Sequence, residues 1–151
     1  MKEFSCDTEI FEFVISKEVE AYYFYLALAR YVRDRNISMM FEDLAKEELE
    51  HKAKMELELM KTGKTVSTAQ PEPRPDMDYI LADKLPLDLD YKDVLLLGME
   101  KEEAAFRTYV NLTSSIYNAE SREVLMAIAQ EEVRHKLRFE EEYNSLPDKA
   151  D

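Results

Sequence analysis

The segment Glu47-Glu48-Leu49-Glu50-His51-Lys52 returns 84 residues later as Glu131-Glu132-Val133-Arg134-His135-Lys136, and these two copies hold both histidines of the chain. On an α-helix a Glu and a His three positions apart lie about one turn apart on one face, so a carboxylate oxygen and an imidazole nitrogen can reach a common point beside the helix. One such tetrapeptide in a Glu-rich helix is ordinary; two copies in register commit the chain to two equivalent sets of ligands. The surroundings repeat at the same offset: Lys17 with Lys101, Glu18 with Glu102, Ala21 with Ala105, Tyr25 with Tyr109, Leu28 with Leu112 and Ala45 with Ala129. Glu18 precedes Glu48 by 30 residues, and Glu102 precedes Glu132 by the same 30. Two helical hairpins of like internal geometry, packed about a pseudo-twofold axis, are implied.

The rest of the chain reads as helix. Apolar residues fall at helical spacing, only 2 residues are Gly and 35% are charged, which argues for an all-α fold. The first helix is expected from about residue 8 to 34, with Asp7 or Thr8 as N-cap and an inner stripe through Phe11, Val14, Ile15, Glu18, Ala21, Tyr22, Tyr25, Leu28, Ala29 and Val32. A turn at Asp34-Arg35-Asn36 leads into a second helix, from about Ile37 to Lys61, which stops near Gly63. A third begins near Asp90, and a fourth runs from a turn around Asn118 to about Asn144, before Pro147. Between the hairpins, Pro71, Pro73, Pro75 and Pro86 exclude a long helix. Helices of about 25 residues are roughly 38 Å long, so residues 62–90 read as a crossover from one end of a bundle to the other, held by Tyr79, Ile80, Leu81, Leu85, Leu87 and Leu89. The expectation is one domain, residues 1–151, folded as a four-helix bundle of two hairpins joined by a long Pro-containing crossover.

Polar residues that interrupt the apolar stripes carry the chemistry. Helices 1 and 3 each place one acid there, Glu18 and Glu102, while helices 2 and 4 place Glu48 with His51 and Glu132 with His135. Glu47, Glu50, Lys46 and Lys54 fall on other faces and are assigned to solvent. A carboxylate on a buried stripe must be protonated, paired or bound to metal. Four of them converging in a core raise one another's pKa and cannot all stay ionised without cations. Two divalent metals would supply the charge. Carboxylate oxygens with one imidazole per metal suit iron or manganese, and zinc can occupy such ligands too. Glu18 and Glu102 are then terminal ligands, Glu48 and Glu132 bridge, and His51 and His135 serve one metal each. Tyr25 and Tyr109, two turns beyond the helix 1 and helix 3 glutamates, are placed to hydrogen-bond ligand carboxylates.

Composition removes several classes of partner. A net charge of −13 argues against nucleic acid and anionic membrane surfaces, both of which need concentrated Lys and Arg. With Cys6 as the single cysteine there is no internal disulfide and no Cys-x-x-Cys pair, and a reducing cytoplasm is the expected setting. The N-terminal residues lack a cationic start followed by an apolar core, and the uncharged run Ala21 to Ala29 is too short to span a bilayer, so a soluble, unexported protein is expected. That same run is apolar nearly all round, which implies that helix 1 buries a second face against the crossover or another subunit, and a homodimer is expected.

With these residues in place the chain resembles the ferritin-like di-iron carboxylate proteins, and within them the rubrerythrin-like proteins. The likeness runs through Glu18-x-x-Ala21-x-x-x-Tyr25, Phe41-x-x-Leu44-Ala45-x-x-Glu48-x-x-His51, Glu102 and Glu132-x-x-His135, nearly the whole chain. The resemblance implies a ferritin-like bundle and two iron ions per chain. It also implies redox chemistry: reduction of peroxide or reaction with dioxygen, or, as in iron-storing relatives, oxidation and binding of iron for storage or delivery. Two departures are visible. Rubrerythrins proper carry a further glutamate one turn after the helix 3 ligand, where this chain has Ala105, and Glu100 and Glu103 lie off the stripe. A rubredoxin-like cysteine module is absent from these residues, so a peroxidase cycle would draw electrons from a separate donor.

Overall fold

A computed structural model describes residues 4–65 and 91–146. Among them lie four helices and no strand: α1 (Asp7–Tyr31), α2 (Arg35–Lys61), α3 (Tyr91–Thr113) and α4 (Ala119–Ser145). α1 packs along α2 and α3 along α4 as two hairpins, which meet more sparingly through α2 against α4 and α1 against α3. This is the expected all-α, ferritin-like arrangement. The crossover and its apolar anchors from Tyr79 to Leu89, together with Asp90 and Pro147, lie outside the described residues.

The helix ends follow local chemistry. Asp34 caps α2, its carboxylate accepting the Ile37 N–H at 3.2 Å, so α1 stops at Tyr31 and not near residue 34. At the repeat-equivalent turn Asn118 caps α4 by accepting the Ser121 N–H at 3.0 Å. Gly63, with φ of 93°, follows the end of α2 in the left-handed region that a side chain would resist. The N-cap of α1 is Cys6, which makes no side-chain cap bond, in place of Asp7 or Thr8. Asp7 serves elsewhere: its carboxylate accepts the backbone N–H groups of Tyr117 (2.7 Å) and Asn118 (2.9 Å), tying the start of α1 to the α3–α4 turn.

Two apolar clusters, each drawing on all four helices, bracket the middle of the bundle. One contains Leu28, Phe41, Leu95 and Phe139, with Tyr25, Phe41 and Phe139 in mutual ring contact at 5.8 to 6.1 Å. The other contains Phe11, Val14, Met55, Tyr109, Leu125 and Ile128. α1 does bury a second face, through Tyr23 and Ala27, while Ile15, Tyr22 and Val32 from its expected stripe are only partly buried. Between the two clusters sits a band of buried polar side chains.

Candidate metal centre

The six residues singled out by the repeat occupy this band, and each is at most 4% exposed: Glu18, Glu48, His51, Glu102, Glu132 and His135. Their ligand atoms form two overlapping groups, Glu18–Glu48–His51–Glu132 and Glu48–Glu102–Glu132–His135, with every atom of a group within 4.8 Å of the others. Glu48 and Glu132 belong to both. His51 Nδ1 is 3.0 Å from Glu132, 3.4 Å from Glu18 and 3.7 Å from Glu48. His135 Nδ1 is 3.3 Å from Glu48, 3.5 Å from Glu102 and 3.8 Å from Glu132. Each histidine thus lies nearest the motif glutamate of the opposite hairpin. The two imidazoles stack with centroids 5.8 Å apart and planes 17° from parallel.

The tyrosines also cross between hairpins. Tyr109 donates its hydroxyl proton to Glu18 at 2.6 Å, and Tyr25 donates to Glu102. Each phenol secures the terminal carboxylate of the other hairpin. Burial drives both phenol pKa values well up, and the adjacent carboxylate, Glu102 for Tyr25 and Glu18 for Tyr109, adds to it. Both therefore stay protonated and able to donate.

Glu47, which helical phase assigns to solvent, and its repeat equivalent Glu131 do something else. Glu131 Oε2 contacts His51 Nε2, the ring nitrogen turned away from the cluster, and Lys54 stands 3.6 Å from the other Glu131 oxygen. Glu47 Oε2 lies 3.4 Å from His135 Nε2. The first Glu of each motif copy reaches across to the histidine of the other copy. At His51 the carboxylate on the outer nitrogen fixes the tautomer and ring orientation that leave Nδ1 facing inward, whereas His135 Nε2, near Glu47, makes no hydrogen bond. The assignment of Glu47 to solvent is corrected accordingly, whereas Glu50 and Lys54 are exposed as expected. Lys46 is exposed too. The missed signal was the doubled Glu in both copies. A second buried acid on α2, Glu58, is matched conventionally: it accepts from Ser121 Oγ at 2.8 Å and from Lys61 at 3.0 Å.

The electrostatics of the cluster call for cations. Burial pushes Glu48 and Glu132 well above the usual carboxylate range, and neighbouring carboxylates, Glu18 at the former and Glu102 at the latter, add to the rise. Burial acts the same way on Glu18, but contact with His51 outweighs it and holds Glu18 below its ordinary value. Burial would lower His51, yet Glu132 and Glu18 together carry it up to about 11. The protein on its own needs protons to offset these carboxylates. Both Glu48 oxygens, Glu18 Oε2, Glu102 Oε2, Glu132 Oε1 and the Nδ1 atoms of both histidines have no hydrogen-bond partner, though all are buried. Buried polar atoms are seldom left so. Orphaned oxygens and imidazole nitrogens converging in two overlapping sets fit two metal ions, which would take the place of those protons.

The family model for rubrerythrin matches residues 9–143, a span that reaches into all four helices and holds all six residues of the cluster. The chain belongs to the rubrerythrin family. No curated protein and no solved structure matches it. Rubrerythrin membership and the buried Glu/His cluster together make this the family's di-metal site, held on a ferritin-like bundle. Ala105 borders it where the sequence departs from the rubrerythrin pattern.

Proposed function

We propose that the protein is a non-haem di-iron oxidoreductase that reduces peroxide, or reacts with dioxygen, using electrons from a separate donor. The observation that carries the reading is the pair of overlapping groups of oxygen and imidazole donors with Glu48 and Glu132 common to both. In this reading Glu18 and Glu102 would be terminal ligands, Glu48 and Glu132 would be shared, and His51 and His135 would hold one ion each. When bound, two ferrous ions supply the two electrons that a peroxide O–O bond takes up on cleavage. The chain's own part is to hold that pair away from bulk water, to orient the terminal carboxylates through Tyr25 and Tyr109, and to orient the imidazoles through Glu47 and Glu131. Mixed oxygen and nitrogen donors favour iron or manganese and admit zinc.

Anaerobic loading with Fe(II), followed by mixing with hydrogen peroxide and, separately, with air, tests the reading. Rapid stoichiometric oxidation by peroxide is expected. Oxidation mainly by air, with more than two irons retained per chain, would replace it with iron oxidation for storage or delivery. We further propose a cytoplasmic homodimer; light scattering at micromolar concentration should give twice the chain mass.

A further inference from the structure

The band of inward glutamates and histidines is closed on most sides. Toward the ends of the bundle stand the two apolar clusters, and within each hairpin α1 packs along α2 and α3 along α4. On the α2–α4 side the two imidazoles, 0% and 5% exposed, stack 5.8 Å apart. Glu131 lies on the outer nitrogen of His51, and Glu47 is 3.4 Å from that of His135. The α1–α3 side is different. There the helices leave a cleft of about 280 Å³, with Glu48, Glu102 and Glu132 at its inner end. Both Glu48 oxygens, Glu102 Oε2 and Glu132 Oε1 are buried without a hydrogen-bond partner.

Small residues give the cleft its width. Ala21 on α1 and Ala105 on α3, equivalent in the repeat, stand on its opposite walls. Glu20 and Ala104 on its rim are exposed, so the cleft reaches the surface. A space of this size holds several water molecules, and a divalent ion can advance through it with part of its hydration shell. Both lysines on the rim are engaged: Lys17 Nζ is 3.2 Å from Glu20, and Lys101 Nζ sits 4.9 Å from the centre of the Phe24 ring. The carboxylates at the inner end then supply the attraction for a cation.

Resting on the di-iron reading above, we propose that divalent metal ions reach and leave the centre through this cleft, and that Ala21 and Ala105 set its bore. An entering ion meets Glu48, Glu102 and Glu132 first and the histidines, which do not line the cleft, last. A side chain that narrows a passage obstructs traffic in both directions alike, so it slows uptake and release and leaves affinity unchanged. A side chain that disturbs the ligands changes affinity. Rates and affinity read together therefore separate the route from the site.

The test mixes the full, metal-free chain with Co(II) by stopped flow and follows the visible absorption of the bound ion. Release is read by mixing loaded protein with excess chelator, and Kd by equilibrium titration. Ala105→Leu and, on the opposite wall, Ala21→Leu fill the passage. A narrowed cleft that opens only as a minor state, populated to at most about 10%, should slow uptake and release each by at least about tenfold, with Kd unchanged. Glu47→Ala, which uncovers the imidazole side, should leave uptake no faster. The proposal is overturned if neither leucine variant slows uptake at unchanged Kd, or if Glu47→Ala quickens it. Two ions bound at equilibrium, with uptake indifferent to the cleft, overturn the route alone. Absence of bound Co(II) at equilibrium in the unmodified protein overturns the di-metal reading, and this proposal with it.

Discussion

Glu131 and Glu47 hold equivalent places in the two motif copies yet grip their histidines unequally. Glu131 touches His51 closely, is 32% exposed and has Lys54 beside it, whereas Glu47 is 43% exposed and 3.4 Å from His135. The less exposed, pinned carboxylate should orient its imidazole more firmly. Loss of an outer carboxylate lowers metal affinity by about 10- to 100-fold. Glu131→Ala is predicted to weaken one of the two bound ions by that order and Glu47→Ala to do less, as read by anaerobic Fe(II) titration; equal or absent effects would deny the orienting role. The six inward residues were legible in the sequence because they are duplicated in register on apolar stripes. Glu47 and Glu131 were not, because neighbouring residues on a helix point about 100° apart. Periodicity within one helix turns a residue beside Glu48 or Glu132 away from the core. What it reaches depends on how the opposite hairpin is set against it.

Between helices, α3 and α4 approach closely at one glycine. A Cβ on Gly98 would stand 2.9 to 3.1 Å from three atoms of the Phe139 ring, which is itself hemmed in by Tyr25 and Phe41. Replacing Gly by Ala gains about 1 kcal/mol of helix propensity, but overpacking a filled core costs about 1–3 kcal/mol. Because Tyr25 and Phe41 pack against the ring, the strain should win. Gly98→Ala is predicted to lower stability by about 1 kcal/mol in urea unfolding; a midpoint at or above that of the unmodified protein would show that the ring gives way. The four helices were legible from period and caps, with Asp34 and Asn118 read as turn residues. The start of α1 was misassigned because Asp7, a good capping residue by type, has its carboxylate engaged by the α3–α4 turn 110 residues away. No local pattern encodes that contact.

For the molecule as a whole, the cluster links stability to pH and to metal. Glu48 and Glu132 have raised pKa values in the fold, and His51 rises from 6.5 to about 11, so the metal-free fold holds more protons than the unfolded chain. Raised groups contribute fully below their unfolded values, and that contribution is lost as pH climbs through the folded ones, by up to about 1.4 kcal/mol per unit for each group. Glu18, held low, works in the opposite sense, but its contribution is complete above the ordinary carboxylate range and fades only in acid. Metal-free protein should therefore lose thermal stability between about pH 5.5 and 8.5, and metal-loaded protein should lose less, because bound ions have already displaced those protons. Scans with and without chelator read this directly; a metal-free stability that rises across that range would contradict it. The central claim is that both hairpins together build one site for two metal ions, with Glu48 and Glu132 shared. Anaerobic equilibrium titration with Fe(II) tests it most directly. Two ions per chain are predicted for the unmodified protein, with both sites impaired in Glu48→Ala and chiefly one in His135→Ala; no uptake of iron, or two ions still bound with unchanged affinity in both variants, would contradict it.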